Sequence, residues 1–321
     1  EINPRETYWI QAGFENYILM NYVEHFYKDE SLIGKFSKVW GIKSYNLAKL
    51  KYNSQYPLTY LHMIRTGRDQ ALNTSKDSLL KFNTNLSTKY KAALGLLYLE
   101  DFIEDSKVED WIKELIKAPS QTLLTTERFK SYLKTKTAKN IDWFFDSYLT
   151  NAKQIDYKIT DLTSTTDSIY FTVKNKKSGQ RPISLFMLKE GKVISKQWLS
   201  GIGAKKQFVV PNLQADKLVL NYDKKVPEFD LRNNWKNLSD SSLFNKPFQI
   251  RFFKDVESPH NNQLYFLPIV EFKNIYDGLN LGINFNNKGV LNKPFLFGIT
   301  PIYSVNSNAL TGFVKVIYNT Y

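Results

Sequence analysis

"IDYKITDLTSTTDSIYFTVKNKKSGQRPISLFML", residues 155–188, is where the apolar pattern of the chain changes period. Apolar and polar residues alternate through it, and Ser178-Gly179 and Arg181-Pro182 interrupt the alternation, as turns between short strands do. Before it, apolar residues recur at helical spacing. "FENYILMNYVEHFY" (14–27) places Phe14, Ile18, Leu19, Tyr22, Val23 and Phe26 on one stripe. "YPLTYLHMIRTG" (56–67) opens on a proline and closes at Gly67, a start and a stop. "YKAALGLLYLEDFIED" (90–105) reads as a buried helix. "SKVEDWIKELIKA" (106–118) offers Ser106 as an N-cap, acids in the first turn, and Trp111, Leu115 and Ile116 facing inward. Further short helices follow in "TTERFKSYLKTKT" and "NIDWFFDSYLTN".

After residue 155, "KVISKQWL", "KQFVVPNL" and "KLVLNY" continue the alternation, giving roughly six or seven strands and a small β-sandwich. "VPEFDLRNNWKNLS" is irregular and reads as a linker that packs. From residue 247 come "PFQIRFFKD", "NQLYFLPIVEF", "GLNLGINFNN", "PFLFGITPIYS" and "LTGFVKVIYNTY", alternating segments with Tyr and Phe near their ends. Transmembrane β-strands have this length and this rim, but a soluble antiparallel sheet carries the same pattern, so the residues leave both open. Four or five strands cannot close a barrel, because the smallest have about eight. The expected fold is therefore α+β and multidomain: a helical part over 1–152, a β-sandwich over 153–225, a packed linker over 226–246 and an antiparallel β segment over 247–321.

Composition narrows the function classes. In 321 residues, 44 Lys and Arg stand against 31 Asp and Glu, a net charge of +13. The lysines are dispersed rather than gathered in a run, which favours a solvated basic surface over a nucleic-acid site. The absence of cysteine excludes disulfides, thiolate metal sites and a cysteine nucleophile. No run of about 18 apolar residues predicts a spanning helix. The opening "EINPRE" lacks an initiator methionine and reads as a fragment or a processed form.

Few residues carry chemistry by motif. The three histidines, His25, His62 and His260, form no H-E-x-x-H pair, and each reads as a surface or core residue. G-x-S-x-G and the phosphate-binding glycine loops are missing, and "GIGAKKQ" (201–207) reads as a turn between strands. Glu100 with Glu104, and Asp101 with Asp105, are helical neighbours that read as a solvated face.

Residues 9–17, "WIQAGFENY", resemble the W-x-x-E-G-F segment of the M1 family of zinc aminopeptidases (gluzincins). In that family the glutamate of the segment is the third zinc ligand, downstream of H-E-x-x-H. Catalytic zinc takes three protein ligands and keeps one position for water. Trp9, Gly13, Phe14 and Tyr17 match the scaffold of the segment, while Ala12 stands at the ligand position, and a methyl group cannot bind metal. The family spacing places the histidine pair before residue 1. "KYKAALGLLYLED" (89–101) is similar to the family's Y-x-K-G-A helix start, whose tyrosine stabilises an oxyanion. That register puts Lys89 where the tyrosine belongs, so Tyr90 is an oxyanion candidate displaced by one position.

"NIDWFFDSYL" (140–149) resembles the segment closing the helical part of such proteins. "VPEFDLRNNWKNL" (226–238) and "ITPIYSVNSNALTGF" (299–313) resemble flavobacterial envelope proteins in which a peptidase-like part precedes an outer-membrane-type barrel. The resemblance implies a metallopeptidase with zinc as cofactor, here inactive because neither H-E-x-x-H nor the third ligand is present, so no zinc is expected on this chain alone. It equally implies the alternative of a non-catalytic, peptidase-like binding module at the outer membrane. In either case the partners expected are a peptide or protein substrate and the outer membrane, not nucleic acid, and the location is the bacterial envelope, periplasm or outer membrane.

Overall fold

The computed structural model describes residues 2–104, 107–117, 123–238 and 246–319. Asp105 and Ser106, and with Ser106 the cap expected for the fourth helix, lie outside the described residues. The chain is α+β and divides into two units: Glu1–Glu30, Tyr52–Ile64 and Arg68–Asn245 form the first, and Ser31–Lys51, Arg65–Gly67 and Lys246–Tyr321 the second.

Helices come first: α1 (Tyr8–Phe26), α2 (Gln55–Arg65), α3 (Thr88–Ile103), α4 (Val108–Lys117) and α5 (Thr126–Lys136). Pro57 sits in the first turn of α2, where its missing N–H costs nothing. Gly67 follows at φ +67°, a left-handed conformation that suits a residue without Cβ. A π-helical turn, Asn83–Ser87, leads into α3, and another spans Phe144–Tyr148. In α5 the Thr125 side chain accepts the Arg128 N–H at 3.2 Å, a side-chain cap.

α1 and α3 approach closely because small residues face each other. A Cβ added at Gly13 would lie 2.9 Å from that of Ala92, and one at Gly95 only 2.3 Å from Cε1 of Tyr148. The expected stripe on α1 is right only in its first half. Tyr8, Trp9, Ile10, Phe14 and Tyr17 are buried, whereas Leu19, Tyr22 and Phe26 are exposed, because among the described residues no element covers them on that side of the helix. On α4, Trp111 is buried and Leu115 packs against the core, but Ile116 is exposed: it lies a helical step off the buried face.

Two sheets complete the first unit. One has the order β1 (Tyr157–Ser164), β2 (Ser168–Asn175), β5 (Lys205–Pro211); the other has β4 (Lys192–Leu199), β3 (Ile183–Lys189), β6 (Lys217–Leu220), β7 (Trp235–Asn237). One apolar cluster runs from Trp9 and Leu96 in the helices to Phe171, Leu185 and Phe229 among the strands. β7 lies in the stretch read as a linker: Val219 pairs with Trp235, and Glu228 accepts N–H bonds from Tyr157 (2.7 Å) and Asn234 (2.7 Å).

The second unit holds a five-stranded sheet in the order β12 (Ala309–Tyr318), β11 (Phe295–Ser304), β10 (Leu279–Asn286), β9 (Asn262–Phe272), β8 (Phe248–Phe252). β9 to β12 form an antiparallel meander, but β8 pairs with β9 in parallel, with Ile250 opposite Leu264. That departs from the alternation expected of the tail: residues 253–261 turn the chain back so that β9 starts beside the start of β8. The sheet is open, not closed into a barrel. In the same unit Arg65, 1% exposed, grips both carboxylate oxygens of Glu257 at 2.8 and 3.1 Å and the Asn292 carbonyl at 2.9 Å.

Register fixes what each face of this sheet carries. Phe295 faces Tyr318, Ile299 faces Val314, Leu281 faces Val270 and Phe285 faces Phe266, all on one side. Phe248, Ile250 and Phe252 of β8 join them. The other side carries Asn284, Asn286, Gly298, Thr300 and Lys315. The apolar side stands largely in the open: Val270 is 70%, Val314 69% and Tyr318 72% exposed.

Candidate functional site: an acidic cleft beside α1

The residues of the W-x-x-E-G-F frame are packing residues. Trp9 is buried against Phe129 and Phe144 and donates its indole N–H to Thr126 Oγ1 at 3.0 Å. Phe14 meets Phe129 edge-on at 5.1 Å. Ala12 is buried with Tyr8 and Leu79, and its carbonyl accepts from Asn16 Nδ2 at 2.8 Å. The position given to a zinc ligand is therefore a small apolar contact. Among the described residues no group of three or more His, Cys, Asp or Glu could hold a metal ion.

Tyr90 packs its ring on Tyr56 at 4.5 Å, and its hydroxyl lies 3.5 Å from Gln55 Oε1. Burial, and then the neighbouring Tyr52, push its phenol up. Within the frame, Tyr17 reaches toward a cavity through its neighbours Glu100 and Asn21.

That cavity is an open cleft of about 1040 Å³ in the first unit. The exposed end of α1 supplies Ile18, Asn21, Tyr22 and His25; α3 supplies Glu100 and Asp101, with Glu104 at its C-cap; α4 supplies Glu109 and Lys113. Glu24 and His25, which differ in helical face, both line it. His25 stands edge-on to Phe26 at 4.5 Å, while His62 and His260 lie elsewhere. The apolar end of α1, too short of partners to be core, is thus one wall.

Five carboxylates in one cleft are unusual on a chain of net charge +13. Three are partnered. Asp101 bridges Lys196 at 2.6 Å and Lys225 at 2.8 Å, and Glu104 binds Lys139 at 2.5 Å. Glu109 meets Lys113 at 2.6 Å and accepts from Asn21 at 2.7 Å; burial raises its carboxyl, but these bonds outweigh it and hold it below the usual range. Glu100 is pushed up by burial, against the pull of the Tyr17 phenol and Lys225. Burial, and then Glu100, push the Tyr17 phenol up in turn. Glu24 and Glu100 carry no salt bridge among the described residues, so the cleft retains negative charge and attracts cationic groups.

Sequence reasoning took the α3 acids for a solvated face. Their signal was present in "YLEDFIED" followed by "VED": two helices bringing acids to adjoining turns, opposite the tyrosine and histidine of α1.

No protein-family model and no curated protein sequence matches the chain. Among solved structures, part of the chain is similar to Legionella pneumophila aminopeptidase A, solved in complex with aspartic acid, at 19% identity and a TM-score of 0.38. The match covers 46% of this chain and 18% of that one, so the chain spans under a fifth of the aminopeptidase. At this level the similarity is a distant likeness of shape that carries no chemistry, and the site rests on its own residues.

Proposed function

We propose that the chain is a non-catalytic, peptidase-like binding module seated in a bacterial outer membrane. The observation that carries it is the two-sided sheet of the second unit. By register one side of β8–β12 bears no charged residue, with Phe272 and Tyr303 toward one end and Phe295 and Tyr318 toward the other. β9, β11 and β12 have 11, 10 and 10 residues, the length of a strand that crosses hydrocarbon. An exposed apolar surface of this extent favours lipid over water, and the aromatic rim suits the headgroup boundary. No helix among the described residues is long and apolar enough to cross a membrane, and the sheet is the element proposed to meet the bilayer.

The helical unit supplies the binding half. Ala12 supports binding without hydrolysis, since its buried methyl offers no electron pair to a metal. The acidic cleft suits a peptide that presents an amino group or basic side chains. The test is flotation of the full chain with phosphatidylcholine vesicles at about 0.5 M salt, which suppresses attraction through the basic surface alone. Co-flotation is expected. A chain that stays at the bottom of the gradient, although folded by circular dichroism, sinks the proposal.

A further inference from the structure

The polar side of the five-stranded sheet holds a second cavity, of about 270 Å³, wholly within the second unit. It exists because Gly298 has no side chain. Gly298 lies between Asn286 of β10 and Lys315 of β12 in the register, and a Cβ added there would meet nothing nearer than 3.8 Å. Lys254, Lys288 and Lys315 line the space with Asn284 and Asn286, and no carboxylate does. None of these three lysines has an ion pair among the described residues. The acid next to Lys254 in sequence, Asp255, is buried and committed elsewhere, accepting the N–H groups of Asn46 (2.8 Å) and Leu47 (3.1 Å). The floor is apolar, with Leu267, Leu296, Phe313 and Ile317.

The asparagines are ordered before any ligand arrives. Asn286 Nδ2 donates to Asn284 Oδ1 at 2.6 Å, and Asn284 Nδ2 donates to Thr300 Oγ1 at 2.5 Å. Three uncompensated ammonium groups above a greasy floor recognise an anion carrying an apolar body. We infer that this cavity binds a phosphate ester with an alkyl chain, the phosphate held by Lys254, Lys288 and Lys315 and the chain lying on Leu296 and Ile317. The inference goes beyond the proposed function and does not depend on it, since the cavity is on the side away from the apolar surface.

The probes are octyl phosphate and inorganic phosphate, titrated calorimetrically into the full chain. Saturable binding of octyl phosphate is expected, weakened about tenfold in Lys315→Ala, as loss of one charge-assisted bond implies. Gly298→Leu should weaken it comparably by filling the cavity while leaving all three lysines in place. Tighter binding of octyl phosphate than of inorganic phosphate is expected, since only the ester places a chain on Leu296 and Ile317; equal binding points to a free phosphate and overturns the alkyl-ester assignment. No saturable binding of either probe overturns the inference, as does binding that survives both substitutions in variants whose circular dichroism matches the parent chain.

Discussion

Ala12 shows how a single residue separates a scaffold from its chemistry. Its methyl contacts Tyr8 and Leu79 in a buried spot, so Ala12→Glu would place a carboxylate against apolar neighbours. A loss of about 3 kcal/mol of stability is expected, the cost of an unpaired buried charge. The variant should take up no zinc by mass spectrometry, and zinc uptake with unchanged melting would contradict the assignment. Glu228 makes the opposite case of a buried acid that the fold accommodates. Burial, with Asp156 next, raises its carboxyl to about 8, against the bonds from Tyr157, Asn234 and Asn221. Because the folded value lies above the unfolded one, its contribution is fully present below the unfolded carboxylate range and is lost as pH rises toward about 8. Stability should therefore decline over that window in denaturant titrations, and Glu228→Gln should flatten the decline. An equally steep profile in the variant would place the titration elsewhere.

At the scale of elements, packing rather than pattern decided which helical faces are buried. Gly95 on α3 admits the Tyr148 ring, whose hydroxyl donates to the Lys91 carbonyl at 2.7 Å. Gly95→Ala improves helix propensity but forces the ring aside. A net loss of about 1–3 kcal/mol is expected from overpacking, read as a lower denaturation midpoint. A more stable variant would mean that the ring moves at no cost. The five helices and the switch to strands near residue 155 were legible from spacing alone. The outward turn of Leu19, Tyr22 and Phe26 was not: their spacing matches a core stripe, and only the missing neighbour exposes them. β7 was hidden for a similar reason, since three residues carry too little alternation to be seen without their partner β6.

For the whole molecule, the testable property is which side of the tail sheet meets lipid. Successive residues of β12 alternate sides, so Val316 and Thr311, which lie on opposite sides, provide an internal control. Val316→Lys should reduce the vesicle-bound fraction sharply, because a lysine facing hydrocarbon costs about 2–4 kcal/mol near the midplane. Thr311→Ala, on the opposite side of the same strand and outside the cavity, should leave flotation unchanged. Equal effects from both substitutions would show that the strand's two sides are not distinguished by lipid.

Local order belongs to the sequence itself: which stretches are helix or strand, where turns fall, and that the residues around Ala12 form a frame without a ligand. These follow from nearest-neighbour spacing, and so does the strict alternation that sorts the tail into an apolar and a polar side. Tertiary structure alone decided what those residues do together. It brought Glu24, Glu100 and Glu109 from three helices into one cleft, ran β8 parallel to β9, and set Gly298 between Asn286 and Lys315 to open a basic cavity. Such groupings depend on which distant segments pair, and spacing along one chain cannot encode a distance across two.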